Sequence, residues 1–373
     1  MSIEAYIRDK SEEIFNVLKD LCDIPAPSHY EHKRAAFCKK WLENTGAEGV
    51  YIDEALNVIY PLNCDGSNEI TVFAAHTDTV FPDRETMPYF DDGKRIQSPG
   101  VADDTASVVA LMMMARYFTE KKIVPEKGIL FVCNSCEEGL GNLKGTRQLF
   151  KDYEGRISEF ITFDSMLNVV ADHCVGSCRY EVEVLTEGGH SFGAFGNDNA
   201  IAKLSEIVKK IYEIKVPQKD GKKTTYNVGT ISGGTSVNTI AQNAKMLCEY
   251  RSDDKDCLLK MRFEFEKIFD SVRSDKVKVN VTTVGERPCE NIDYSKIQKL
   301  KDTAVGIIEG VINEKVRFTS ISTDCNIPLS LGIPALCVGV NKHFGIHTRE
   351  EWVEKDSIIK GIEIAIKLGL ACC

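Results

Sequence analysis

Five short segments of this 373-residue chain place histidines and acids where chemistry is possible: Ala75-His76-Thr77-Asp78-Thr79, Ala102-Asp103-Asp104, Ser135-Cys136-Glu137-Glu138-Gly139, Thr162-Phe163-Asp164 and Gly345-Ile346-His347-Thr348. Histidine nitrogen and carboxylate oxygen are donors that hold catalytic zinc, in sites that leave a position open for water. Two histidines and three acids suffice for two ions when one carboxylate bridges them, and a further glutamate then remains for proton transfer. Acids directly after apolar strands are costly to bury unless paired or bound to a cation. Each segment alone has a structural alternative. His76 and Asp78 can be an ordinary hydrogen-bonded pair, and Asp103-Asp104 can cap the helix that follows. Glu137-Glu138 can be a solvated turn, Asp164 a loop cap, and His347 a surface residue near a helix start. The case for chemistry rests on the set, whose inventory balances.

Such a set needs elements that carry it to one edge. The apolar run 70–75 reads as a strand ending at His76, and 128–133 and 159–163 read as two more. Residues 107–118 include Val108, Val109, Leu111 and three consecutive methionines; a helix apolar nearly all round belongs in the core. The opening reads as one helix through Leu21, broken by Ile24-Pro25-Ala26-Pro27. Ser28 with Glu31 three places later signals a capping box, for a helix running to Asn44 or Thr45 and stopped by Gly46. Strands alternating with helices predict an α/β layered domain with a mixed, largely parallel sheet, whose carboxyl edge is where ligands bind.

From Arg179 the texture changes. Residues 180–184 alternate as a half-exposed antiparallel strand would, followed by a helix at 200–214, strands at 226–231 and 245–250, a helix at 258–272 and a strand at 277–283. That is the order of an α+β ferredoxin-like sandwich. The α/β texture returns after Pro288 and ends in a helix at 357–368, so the expected division is 1–177 and 289–373 for the larger domain and 178–288 for an insertion.

With 43% hydrophobic and 27% charged residues the chain has the composition of a globular protein with a core. A formal charge of −10 argues against nucleic acid as a partner. No apolar run approaches the ~20 residues needed to span a bilayer, and the first residues lack a signal-peptide core. Fourteen cysteines without a secretion signal imply reduced thiols in the cytoplasm. Cys133-Asn134-Ser135-Cys136 and the pair Cys174 and Cys178 raise a rival of a different class, a redox or structural-zinc protein. Cys133 falls inside an apolar strand, and the pairs lack zinc-ribbon spacing.

The motifs in sequence order resemble the co-catalytic zinc metallopeptidases that include peptidase T, glutamate carboxypeptidase, aminoacylase and acetylornithine deacetylase, with the peptidase T-like branch the nearest. The resemblance runs from Ile24-Pro25-Ala26-Pro27-Ser28 to His347-Thr348-Arg349-Glu350-Glu351-Trp352 and includes Glu187-Gly188-Gly189-His190-Ser191 and Gly233-Gly234-Thr235-Ser236-Val237-Asn238. Asp103-Asp104-Thr105-Ala106 departs from the family's usual opening at positions that are not ligands. The resemblance implies that His76, Asp103 and Asp164 hold one ion and Asp103, Glu138 and His347 the other. The ions are expected to be two Zn2+, with Co2+ or Mn2+ able to occupy the same donors. It implies Glu137 as general base, Asp78 as the residue that orients His76, and a cis Asp103–Asp104 peptide. The insertion is then a lid and homodimerisation domain, from which His190, Asn238 and Arg251 serve substrate. For His190 the alternative is a strand-end surface histidine, and for Arg251 a surface pair with Asp253 or Asp254. The implied reaction is cleavage of an amide bond in a small peptide, by an aminopeptidase, tripeptidase or dipeptidase. An N-acyl-amino-acid deacylase or carboxypeptidase of the same family is the alternative.

Overall fold

A computed structural model describes residues 2–373. The chain divides into two compact units, one comprising the segment up to Cys174 with Asn291–Cys373 and the other Val175–Glu290. The divisions read from the sequence lay at 178 and 288.

Among the described residues, the first unit holds an eight-stranded sheet. Its spatial order is Tyr51–Ile52, Val58–Leu62, Gly128–Asn134, Ile70–His76, Ile157–Phe163, Ala335–Val338, Val169–Cys174, Arg317–Ile321. The strand Ile70–His76 pairs in parallel with Gly128–Asn134 and with Ile157–Phe163, which in turn pairs in parallel with Ala335–Val338. Antiparallel pairings at Val58–Leu62 and between Ala335–Val338 and Val169–Cys174 make the sheet mixed. Every residue of Ile70–His76 and of Gly128–Asn134 is buried, as befits strands covered on both faces. Part of that cover is the helix Ala106–Glu120, whose all-round apolar surface buries Met112, Met113, Met114 and Phe118. Phe118 meets Phe131 edge-on at 5.5 Å between ring centroids.

Two local expectations need correction. The opening is two helices, Ile3–Asp9 and Ser11–Cys22, parted at Lys10; Lys10 is no helix breaker, so composition gave no sign of the break. Ser28 and Glu31 form no capping box. The second expected helix is His32–Asn44, and it has no side-chain cap. The Ser28 hydroxyl instead donates to Asp78 Oδ2 at 2.7 Å, while Glu31 Oε1 accepts the amides of His29 and Cys136, each at 3.0 Å. A buried carboxylate is better compensated by these interior donors than by a cap at the surface.

The final helix, Lys355–Ala371, lies against the segment after Ala335–Val338. A β-carbon on Gly361 would sit 1.6 Å from the Val340 carbonyl oxygen, so this contact exists only because the residue is glycine. Gly361→Ala should therefore lower stability by about 2 kcal/mol or more, because backbone on both sides must move. Urea unfolding checks this, and an unchanged midpoint would contradict the packing.

The second unit is an antiparallel sheet in the order Thr224–Gly233, Asn243–Ser252, Gly176–Leu185, Lys278–Arg287. Burial alternates along Asn243–Ser252, and the buried set Val182, Val184, Met246 and Tyr250 packs with Leu204, Ile207 and Phe265 from helices Ala200–Tyr212 and Lys255–Asp270. Asn199 and Asp254 cap those helices through side-chain oxygens. Strand, helix, two strands, helix, strand in this order is a ferredoxin-like sandwich. Among the described residues no helix is long and apolar enough to cross a membrane.

Candidate metal centre

Parallel strands deliver their following residues to the same edge, and three of the five segments arrive that way. His76 ends Ile70–His76, Glu137 and Glu138 follow Gly128–Asn134, and Asp164 follows Ile157–Phe163. Asp103 lies in the turn before the helix Ala106–Glu120, and its peptide bond to Asp104 is cis. His347 comes from the loop after His343–Phe344 with φ of 65°.

These side chains converge. Asp103 Oδ1 lies 3.0 Å from His76 Nε2 and Asp103 Oδ2 lies 3.0 Å from His347 Nε2, while His347 Nε2 is 3.1 Å from Glu138 Oε1. Donor atoms within 4.8 Å of one another define three overlapping groups. They are His76 with Asp103 and Asp164, Asp103 with Glu138 and His347, and His76 with Glu137 and Glu138. Asp103 belongs to the first two, one carboxylate oxygen toward each histidine. Donors about 2.0–2.2 Å from one tetrahedral ion lie roughly 3.4 Å apart, close to the observed spacings, and the N/O chemistry suits a zinc-class ion. The residues fit a pair of cations. His76 is buried, whereas the His347 side chain is 52% exposed, so the cluster reaches from interior to solvent.

The electrostatics show how much negative charge the fold concentrates here. Burial, and then the charge of Asp103, pushes Asp164 up to about 8 and Glu138 up to about 7. For Asp103 burial acts in the same upward direction, but hydrogen bonds from His347 and His76 overcome it and hold the carboxyl well below its usual range. His347 rises to about 10 through its bonds to Asp103 and Glu138. Burial opposes protonation of His76, yet Asp104, Asp103 and Asp78 together raise it. Without a cation the two imidazoles act as the cluster's counter-charge.

Asp78 meets the His76 ring through both its backbone and its side chain. His76 Nδ1 is 3.0 Å from the Asp78 backbone carbonyl and 3.5 Å from its carboxylate. The carboxylate itself accepts the amides of Glu137 and Glu138, both at 2.9 Å, and the Ser28 hydroxyl. Asp78 thus ties the His76 strand end to the loop carrying both glutamates.

Several participants were given no role at the site from the sequence. Asp104 Oδ2 accepts the His76 amide at 3.0 Å. Asp324 takes Asn134 Nδ2 at 2.7 Å and the Thr146 hydroxyl, and burial with the charge of Glu137 raises it to about 6. No local pattern distinguishes Asp324 from a loop acid. Glu351 is fully buried and accepts amides from the Asp103 turn. Its place four residues after His347 was the available signal.

On the second unit, His190 and Asn238 lie together, His190 opposite Thr239 in a two-stranded ladder and Ser191 N donating to the Asn238 carbonyl at 2.9 Å. His190 Nδ1 accepts from the amides of Phe192 and Gly193, which puts the neutral ring's proton on Nε2. Arg251 is not paired with Asp253 or Asp254. Its Nε and a terminal nitrogen bind the two Glu249 oxygens at 2.7 and 3.0 Å, while Asp254 receives Lys219 Nζ at 2.5 Å.

The rival reading of the cysteines finds no support in their surroundings. All fourteen are free thiols. Cys133 lies in the buried strand, and Cys136 Sγ faces Glu31 Oε1 at 3.1 Å and His29 Nδ1 at 3.4 Å. Burial raises the Cys136 thiol well above its ordinary range, the opposite of an activated thiolate.

Known proteins share the fold and the family of this chain. The chain is 24% identical over 348 residues to a succinyl-diaminopimelate desuccinylase of Corynebacterium glutamicum, covering 89% of each chain. It is similar to the crystal structure of aminopeptidase PepT from Bacillus cereus, with a TM-score of 0.72 at 20% identity over 96% of this chain and 97% of that one. It is also similar to the YxeP protein of Bacillus subtilis, described as a dinuclear metal-binding peptidase, with a TM-score of 0.66 at 13% identity over 98% of each chain. The model of peptidase family M20/M25/M40 matches residues 72–370, a span that contains every residue of the cluster. This chain is therefore a metallopeptidase-class hydrolase belonging to peptidase family M20/M25/M40.

Proposed function

We propose that the chain is a dinuclear metal-dependent amidohydrolase of small peptides, in the manner of a peptidase T-like aminopeptidase, tripeptidase or dipeptidase. The observation that carries the reading is the sharing of Asp103 between two donor groups, with Glu137 in a third that overlaps both. His76, Asp103 and Asp164 hold one cation and Asp103, Glu138 and His347 the other, zinc being the ion best suited and cobalt or manganese acceptable to the same donors. Bound there, such a pair supplies an acidified water and a polarised carbonyl. Glu137 takes the proton from the attacking water and returns it to the leaving amine, the double duty of a general base. Asp78 keeps the Glu137-Glu138 backbone in place for that transfer. His190, with its proton on Nε2, is a hydrogen-bond donor to the developing oxyanion. Arg251, joined by Asn238, takes a substrate carboxylate once its guanidinium exchanges Glu249 for that ligand. The second unit serves as lid and homodimerisation domain, and the free thiols suit a reducing cytoplasm.

A second reading is supported by the desuccinylase similarity, namely removal of an N-acyl group from an amino acid. The metal-loaded protein assayed against di- and tripeptides and N-acyl amino acids separates the two. Turnover of peptides is the expected result, turnover of N-acyl amino acids alone would transfer the assignment to a deacylase, and turnover of neither would overturn both.

A further inference from the structure

Glu351 makes contacts that no part of the proposed chemistry uses. It is fully buried, and its carboxylate accepts three backbone amides of one turn: Ala102 at 2.8 Å and Asp103 at 3.0 Å on Oε1, and Gly100 at 3.1 Å on Oε2. Its own carbonyl accepts Ser98 N at 3.1 Å, and its amide donates to the Thr348 carbonyl at 3.3 Å. A single residue thus holds the Ser98–Asp103 turn at four points while standing four residues from His347. The Asp103 side chain meets the His347 ring at 3.0 Å, so the contacts close a ring from the Asp103 amide through Glu351 to His347 and back to the Asp103 carboxylate.

We propose that Glu351 is a positioning residue that fixes the shared carboxylate of Asp103 relative to His347 before either cation binds. The inference rests on the dinuclear reading above. Ligands held in place by surrounding hydrogen bonds bind without paying for their own ordering, and loss of such support costs about 10- to 100-fold in metal affinity. Glu351→Gln preserves size but turns one acceptor into an NH2 group, which cannot accept the Gly100 amide and leaves a buried donor unpaired. Glu351→Asp keeps the charge but is one methylene too short to reach all three amides.

The test titrates metal-free full-length protein with Co2+ and follows the cobalt absorption spectrum. Wild type is expected to take up two equivalents. Both Glu351 variants are expected to bind about 10- to 100-fold more weakly with an altered spectrum, while a control at the exposed neighbour, Glu350→Gln, matches wild type. Wild-type affinity and spectrum in either folded Glu351 variant would overturn the proposal. A residue that merely stabilised the fold would change the unfolding midpoint and leave the spectrum alone. Should neither variant fold, hydrogen exchange on metal-free wild type decides, because unprotected amides at Gly100, Ala102 and Asp103 would refute the anchor. Wild type that binds no Co2+ would sink the dinuclear reading itself, a result separate from those above.

Discussion

Glu137→Gln is expected to lower kcat by about 10²- to 10⁴-fold, the usual contribution of a general base, with uptake of both cations intact. Gln has nearly the shape of Glu, so the backbone bond from Glu137 N to Asp78 Oδ1 and the packing of a residue only 5% exposed should persist. What disappears is the ability to take a proton at neutral pH, since an amide is not a base there. The experiment needs two measurements on one sample, steady-state turnover of a peptide and metal content. Glu137 also shares a donor group with His76 and Glu138, so it has a second possible use as a ligand. Lost turnover with bound metal supports the base. Lost metal would reassign Glu137 to the coordination shell, and unchanged turnover would remove it from the chemistry.

Asp103→Ala should abolish activity and strip both cation positions at once. Among the described residues, no other belongs to both the His76–Asp164 and the Glu138–His347 groups, and without it each retains only two donors. The same argument predicts a stability effect. Two cations, each at about 1,000 times its dissociation constant, together stabilise the folded state by about 8 kcal/mol, and at about 1.3 °C per kcal/mol for a chain of 373 residues chelation should lower the wild-type Tm by roughly 10 °C. Protonation of His76 and His347 offsets part of that loss, because the imidazoles then compensate the acids they face. Scanning calorimetry with and without a chelator reads the difference. Asp103→Ala should show almost none, and a chelator response equal to wild type would contradict a shared carboxylate.

The residue types at the centre were legible in the sequence because burying a carboxylate is costly, and acids directly after apolar runs stand out for that reason. His76 ends, and Glu137, Glu138 and Asp164 follow, strands in which all or most positions are buried. The alternation along Asn243–Ser252 likewise marked a sheet with one covered face. Short-range chemistry was the less dependable guide. Ser28 and Glu31 have the spacing of a capping box, yet the fold offered both side chains interior partners more than 45 residues away in sequence, Asp78 and Cys136. Arg251 has acids two and three residues after it, Asp253 and Asp254, and pairs instead with Glu249, two residues back on the same strand, where alternation puts both on one face.

Sequence alone therefore determined which groups needed a partner, because the cost of burial belongs to each residue type. Which partner each received was decided only by the tertiary structure. Asp103 and His347 are far apart along the chain and meet at 3.0 Å, and Glu351 reaches the amides of the Asp103 turn from the same distant segment. Such pairings depend on strand order and on where the turns close, and no local pattern records either.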